Sequence, residues 1–588
     1  MNKKTGNYLI FTVISIQFIL YLLYAYKSSA NIFFQDQFDQ IPILDEFFSG
    51  TLTFNDLWRA HLEHRILGYN IISLMNAIFF NSNTMYEIYL GAVCLLITAF
   101  IFYRIYTSSS VERTMRTDIT FSVIICLIFS LIQWENIVLS IGMSIMLRML
   151  FFLMVMISFD QYLKKYNNKS LTVLLIFIFF AILVFGAGYS PALILSLVIT
   201  FAVIQISEHK LYDKRKWLFL GGLTLYCILL YAFYFYGIYD GNHVSQNTSI
   251  LDKALNILSH PIDATKFIFV SIASSVIGVS IYEKYLSINF MIFFGFSLFV
   301  AYVYYIYCFF KNKIYERTIV PFLLIVYSFI IFVLILVARF NYGLDYGVSS
   351  RYTTDTQYGI IGLLWMSATM STNRSLSRWN VKKIINLMLV AVVFIAYLFT
   401  NIIEWKTSPY RKIYFENLQQ IALNYSNSSN DELSLFQNPN IEAVINGFRL
   451  LEKNHLNIFS ENNKVNFFNE YLTPKSGWYE EENGVRWTKK EFEFLVRRDS
   501  ITTFSEATIS GYIPPEQNNV KMSILIDGQL TLEQAMDEGS FSIKLPLKPN
   551  VESNSIKIKL NSSFTPQKSG INNDIRELGV LVTNITPR

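Results

Sequence analysis

YLIFTVISIQFILYLLYAY, residues 8–26, runs directly into KSSANIFFQDQFDQIPILDEFFSGTLTFNDLWRAHLEHRIL, residues 27–67. The first stretch carries no charged residue, and its length matches the roughly 20 apolar residues that a helix needs to cross a bilayer. Lys3 and Lys4 precede it, but no small-residue cleavage site follows, so it reads as a transmembrane helix that stays in place and not as a signal peptide. The second stretch is acidic and aromatic. It must lie beside the membrane, because isolated carboxylates cannot stay ionised in hydrocarbon.

The alternation of apolar run and polar loop repeats along the chain. Further candidate spans cover 86–106, 118–134, 139–159, 171–186, 191–207, 217–238, 289–310, 318–338, 354–371 and 384–402. The whole 588-residue chain is 53% hydrophobic and 15% charged, against about 25% charged residues in soluble domains. Its +5 net charge resides in short loops between spans, a pattern that sets topology and excludes nucleic acid as a partner. Five loops are basic: Arg104, Arg113 and Arg116; Lys164, Lys165 and Lys169; Lys210, Lys214, Arg215 and Lys216; Lys311, Lys313 and Arg317; and Arg374, Arg378, Lys382 and Lys383. The positive-inside rule places all five, with the N-terminus, in the cytoplasm. Residues 263–281 and 68–80 are then interfacial or re-entrant segments on the outer side, because counting 263–281 as a span would push Lys311–Arg317 outward. About eleven spans remain, an odd number, so the C-terminal region faces out.

After Asn401 the composition changes. Residues 404–470 are mixed, with a helical pattern at 441–456, and 471–588 read as short alternating strands, among them 520–526, 541–547, 555–560 and 578–585. Asp527-Gly528 is a hairpin turn signal. The expectation is a helical multi-pass domain over 1–403 and a β-sandwich of jelly-roll type over 471–588. Cys94, Cys126, Cys227 and Cys308 all lie in or beside apolar segments, so they read as small core residues.

The candidate chemistry is on the outer side. Asp36 and Asp39 follow the first span directly, and a carboxylate there can take a proton from an attacking hydroxyl. His61, Glu63, His64 and Arg65 come next; His64 and Arg65 suit a phosphate or a substrate hydroxyl. HLEH lacks the HExxH spacing and a third ligand, so a metal is disfavoured and no cofactor is assigned. The late outer loop RFNYGLDYGVSSRYTTDTQY, 339–358, holds Arg339, Arg351 and Tyr352, and Arg351 sits where it could clamp a lipid phosphate or snorkel as an anchor. In the turn QWEN, 133–136, Glu135 could reach the same rim. Arg148 falls inside a span and needs a partner that the sequence does not identify. Trp478, Tyr479 and Trp487 are candidate sugar-stacking residues.

One span, a long acidic outer loop, about ten more spans and an outer C-terminal domain resemble the GT-C superfamily of polytopic glycosyltransferases, which includes protein mannosyltransferases and aminoarabinose transferases. QDQFDQIPIL (35–44), HLEHRI (61–66), QWEN and SSRYTT (349–354) are similar to motifs in bacterial membrane proteins of glycan gene clusters. DIRELGVLVTNI (574–585) resembles the last strands of β-sandwich domains on envelope glycosyltransferases. The resemblance implies transfer of a sugar from a polyprenyl-phosphate donor to an envelope glycan acceptor, at the outer face of a bacterial inner membrane, with Asp36 or Asp39 as base. Where relatives continue QWEN with a polar, aromatic stretch, this chain reads IVLSIGMS, which leaves the sugar open. Two alternatives stand beside this reading: a polymerase or ligase of lipid-linked glycans, and a glycolipid transporter or flippase.

Overall fold

A computed structural model of the chain describes residues 3–61, 64–108, 113–186, 188–208, 214–237, 250–370, 381–460, 468, 471–482, 485–498, 504–517, 519–548, 551–569 and 574–587. Two compact units emerge. One comprises Met1–Tyr26, Pro42–Asn76 and Met85–Trp405; the other comprises Lys27–Ile41, Ala77–Thr84 and Lys406–Arg588.

The first unit is helical. Among the described residues nine helices are long and apolar enough to cross a membrane, or ten if one bent pair counts as a span. The chain is a multi-pass membrane protein by this measure, with fewer spans than the eleven expected. Two segments account for the difference. Residues 171–186 form a short helix, Asn168–Phe179, that loosens into the π-helical turn Phe180–Val184. Residues 354–371 form the helix Thr353–Met370, whose opening TTDTQ is too polar for a lipid-facing span. This helix has no need to face lipid, because every residue from Thr353 to Thr369 is buried. It packs against the helices Met115–Ile128, Gly142–Lys165, Ile288–Lys311 and Val320–Arg339, and its Trp365 is fully enclosed.

The segment 263–281 is broken. Pro261–Ser274 and Val279–Tyr285 meet at 112°. The bend is tied down where Gly278 donates its backbone N–H to Thr400 Oγ1 (3.3 Å) and Ser280 Oγ donates to Glu404 Oε1 (2.6 Å). Segment 68–80 forms the apolar helix Leu67–Phe80. The four cysteines are buried free thiols.

A two-stranded hairpin, β1 (Ala60–His61) and β2 (His64–Arg65), belongs to this unit. The second unit holds the other strands: β3 (Leu472–Glu482), β4 (Val485–Arg497), β5 (Glu506–Ile513), β6 (Val520–Ile526), β7 (Gln529–Met536), β8 (Gly539–Pro546), β9 (Ser553–Leu560) and β10 (Leu581–Pro587). They form an eight-stranded antiparallel sheet of order β7-β6-β9-β4-β10-β5-β8, with β3 also paired to β4. The sheet curls into a nearly closed, sandwich-like barrel. Alternating inward residues such as Phe492, Phe494, Ile509, Ile524, Ile543 and Ile558 fill one core. Asp527 and Gly528, both at positive φ (51° and 80°), make the tight turn between β6 and β7. The amphipathic helix Ile441–Lys453 precedes the strands in this unit.

Candidate functional site

The helical unit encloses a charge. Arg148, 4% exposed on the helix Gly142–Lys165, would be costly there without a counter-ion. Its Nη2 lies 2.5 Å from Asp355 Oδ2 on the buried helix Thr353–Met370. Tyr327 Oη donates to the other carboxylate oxygen at 2.5 Å, and Ser328 Oγ donates to the Asp355 backbone carbonyl at 3.1 Å. The ring of Tyr189 covers the guanidinium at 3.9 Å, a cation–π contact in a dry setting. Arg148 Nε, buried, has no hydrogen-bond partner among the described residues.

Local chain geometry delivers Tyr189 to this point. The π turn Phe180–Val184 is followed by Gly188 at φ +82°, a conformation that a side chain would strain, and Pro191 then opens the helix Ser190–Ser207. This turn therefore places an aromatic lid on Arg148.

Two motifs from distant parts of the chain meet at the rim. Arg351 Nε donates to Glu135 Oε2 at 2.8 Å. Asn136 Nδ2 donates to the Arg351 carbonyl (3.0 Å) and to Thr354 Oγ1 (2.9 Å), and Thr354 Oγ1 donates to Gln133 Oε1 (2.6 Å). QWEN and SSRYTT thus form one polar seam. Beside it Arg339, at the end of the helix Val320–Arg339, donates from Nε to Tyr352 Oη at 2.7 Å, with the Tyr342 and Tyr352 rings 5.9 and 6.0 Å from its Cζ. Tyr189 lies within electrostatic reach of Arg339, Tyr352, Arg148 and Asp355 together. No carboxylate among the described residues pairs with Arg339.

The first-loop histidines and Arg65 divide. His61 and His64 face each other across the hairpin, ring centroids 5.4 Å apart. Burial pushes the His64 imidazole down to about 4, with the neighbouring His61 and Arg148 charges adding to the effect. His64 is therefore neutral at ordinary pH, and it packs beside Gly188, next to the Tyr189 turn. Arg65 is occupied by main-chain carbonyls: Nε to Tyr234 O at 2.8 Å, Nη2 to Tyr236 O at 2.5 Å, and Nη1 to Trp58 O. That geometry caps the helix Lys214–Phe235 and anchors the hairpin. Glu63 lies outside the described residues.

In the second unit, Asp36 and Asp39 sit on the 3-10 helix Gln35–Gln40, and both are exposed while Gln37, Phe38 and Gln40 are buried. With three residues per turn, positions three apart project on the same side, so the two carboxylates share one face. Phe38 pins this turn between Phe436 and Phe448 (centroids 6.1 and 5.3 Å). Gly447 permits the approach, since a Cβ there would lie 2.8 Å from the Phe38 ring. Gln35 N–H donates to Phe436 O at 3.0 Å.

The three aromatics also divide. Trp478 turns inward against Phe468, Phe492 and Phe494, its Nε1 donating to Glu493 O at 2.8 Å. Tyr479, on the opposite face of β3, is flanked by Arg576 and Lys489 (5.2 and 5.6 Å). Trp487 is half-buried against Phe564. No group of His, Cys, Asp or Glu among the described residues is arranged to hold a metal ion.

Fold and site together define a multi-pass membrane protein with a polar, arginine-rich centre in its helical unit and a separate antiparallel β unit. Compared with known proteins, the chain matches no protein-family profile, no curated sequence and no solved structure.

Proposed function

We propose that this protein is a membrane glycosyltransferase that moves a sugar from a polyprenyl-phosphate donor to a cell-envelope glycan acceptor on the outer face of a bacterial inner membrane. The observation that carries the reading is Arg339, a guanidinium at a helix end with tyrosines around it and, among the described residues, no carboxylate paired to it. A cation left in that state favours an anionic ligand, and a lipid phosphate reaches such a depth while its tail stays in the bilayer. Arg351, half-exposed and joined to Glu135, lies along the same seam.

In the reaction an acceptor hydroxyl oxygen attacks the anomeric carbon. Its proton passes to a carboxylate, and the bond from the anomeric carbon to the phosphate oxygen breaks. The electron pair leaves with the phosphate, which gains a negative charge that the guanidinium stabilises. The carboxylate is assigned to Asp36 or Asp39, from their place in the acidic first loop and their shared exposed face. Arg148, Asp355, Tyr327 and Tyr189 hold the floor of the arginine site in position.

The test uses purified protein in proteoliposomes. Transfer to a glycan acceptor is expected from a polyprenyl-phosphate monosaccharide and not from the matching nucleotide sugar alone. Efficient transfer from the nucleotide sugar without a lipid carrier refutes the assignment. Transport of a lipid-linked glycan is a second reading, favoured by the buried Arg148–Asp355 pair, because ionisable groups inside spans mark substrate paths. In the same vesicles, reorientation of the lipid-linked sugar with no product would select it.

A further inference from the structure

A cleft of about 390 Å³ opens between the first helix, Lys3–Ser28, the end of the helix Met115–Ile128, and the middle of the helix Val381–Leu423. Val13, Leu20, Phe129, Phe394 and Leu398 supply apolar walls, with Trp405 at one end. Of the polar side chains that reach it, Gln17, Tyr397 and Asn401 are engaged with the protein. Tyr397 Oη donates to Gln17 Oε1 (2.6 Å), Asn401 Nδ2 donates to the Tyr397 carbonyl (2.8 Å), and Asn401 Oδ1 accepts from Leu131 N–H (3.3 Å). Water entering this space would find few groups to bond, and a polar headgroup would find no charge.

The position of the cleft indicates what fills it. The two helices that frame it are mostly unenclosed by the rest of the protein: 28% of the first span's apolar window and 33% of the last one's are buried. Its lips, Ile16 and Ile402, are 49% and 51% exposed and continue into outward Phe11, Ile19, Ile395 and Phe399. This face is therefore solvated by lipid tails. At about 30 Å³ per water-sized group, comparable to a methylene, the volume holds roughly a dozen chain carbons. That is most of one acyl chain. Trp405 marks the end nearest the headgroups, as tryptophans at span ends do.

We infer that this cleft is a binding site for one acyl chain of a bilayer glycerophospholipid, seated between the first and last spans. The inference is independent of the transferase reading, since it concerns lining residues that reading does not use and an uncharged ligand portion.

The test is photolabelling of the whole protein reconstituted with phosphatidylethanolamine carrying a diazirine midway along one chain. Labelled positions are then mapped by mass spectrometry. Adducts are expected to concentrate at residues 13–21 and 394–405, well above those on the outward residues of the helix Ile288–Lys311. Val13→Trp and Leu398→Trp fill the cleft from opposite walls, and each should cut the cleft adducts about tenfold without changing the Ile288–Lys311 label. Gel filtration checks that each variant is folded, and the label distribution on the unaltered protein decides the question even if both variants fail. Even labelling of all outward helices overturns the inference, as does cleft labelling that both folded variants leave intact. Displacement of the adduct by a small excess of long-chain polyprenyl phosphate, but not by unlabelled phosphatidylethanolamine, would replace the acyl chain by an isoprenoid and overturn it too.

Discussion

Replacing Asp355 with Ala should open the helical unit. The side chains of Arg148 and Asp355 are 5% and 1% exposed, so removal of the carboxylate strands a guanidinium whose Nε already lacks a partner among the described residues. Breaking a buried pair from one side costs about 3–5 kcal/mol, and the Tyr327 hydroxyl loses its carboxylate acceptor as well, keeping among the described residues only Met149 Sδ at 3.7 Å. At about 1.4 kcal/mol per decade, the population of opened molecules rises by roughly 10²- to 4×10³-fold. The protein carries its own reporters for this. Cys94, Cys126, Cys227 and Cys308 are buried free thiols, and all lie in the helical unit. Their labelling by a thiol reagent in detergent follows the opened fraction when reclosing outpaces labelling. Asp355→Ala should accelerate labelling by that factor. The triple variant Arg148→Met/Tyr327→Phe/Asp355→Leu removes the charges and the hydroxyl together and should return the rate to within about tenfold of the parent. The reasoning fails if Asp355→Ala labels within about threefold of the parent, or if the triple variant labels as fast as the single one.

Three further outcomes are expected. Asp36→Asn or Asp39→Asn should lower sugar transfer by about 10²- to 10⁴-fold with unchanged thiol labelling; near-normal transfer in both singles and the double moves the base elsewhere. Arg339→Ala should weaken donor use more than Arg339→Lys does, because a fork of N–H donors holds two phosphate oxygens and an ammonium acts as a point charge; apparent donor affinity in the transfer assay measures it, and equal small effects count against the phosphate role. His64 titrates near 4 in the folded protein and near 6.5 in an unfolded chain, so the unfolded state binds the extra proton between those values. Stability is therefore full above pH 6.5 and declines as pH falls toward 4. Thiol labelling should accelerate over that window in the parent and lose this component in His64→Gln.

The spans could be read from sequence because they answer to a local rule. A run such as 8–26 or 318–338 is apolar over the width of the hydrocarbon core whatever it packs against. The Asp527-Gly528 turn was equally legible, since positive φ at two successive residues is a local demand. Sequence also showed that Arg148 needed a counter-charge. It could not name Asp355, 207 residues away, because that choice depends on which helices lie side by side. The same holds for Thr353–Met370: in one dimension 354–371 reads as another span, and only the packing shows a helix buried on every side, which is why its polar opening is tolerated. Pairing of QWEN with SSRYTT, the lid that Tyr189 forms, and the commitment of Arg65 to carbonyls of another helix end were likewise settled by packing. Trp478 and Tyr479 illustrate the finest case. Adjacent strand residues point to opposite faces, and the tertiary core alone decides which one turns inward. Local hydropathy therefore determined where this chain can meet lipid, while the partners of its charges were decided by contacts between residues far apart in sequence, for which no local signal exists.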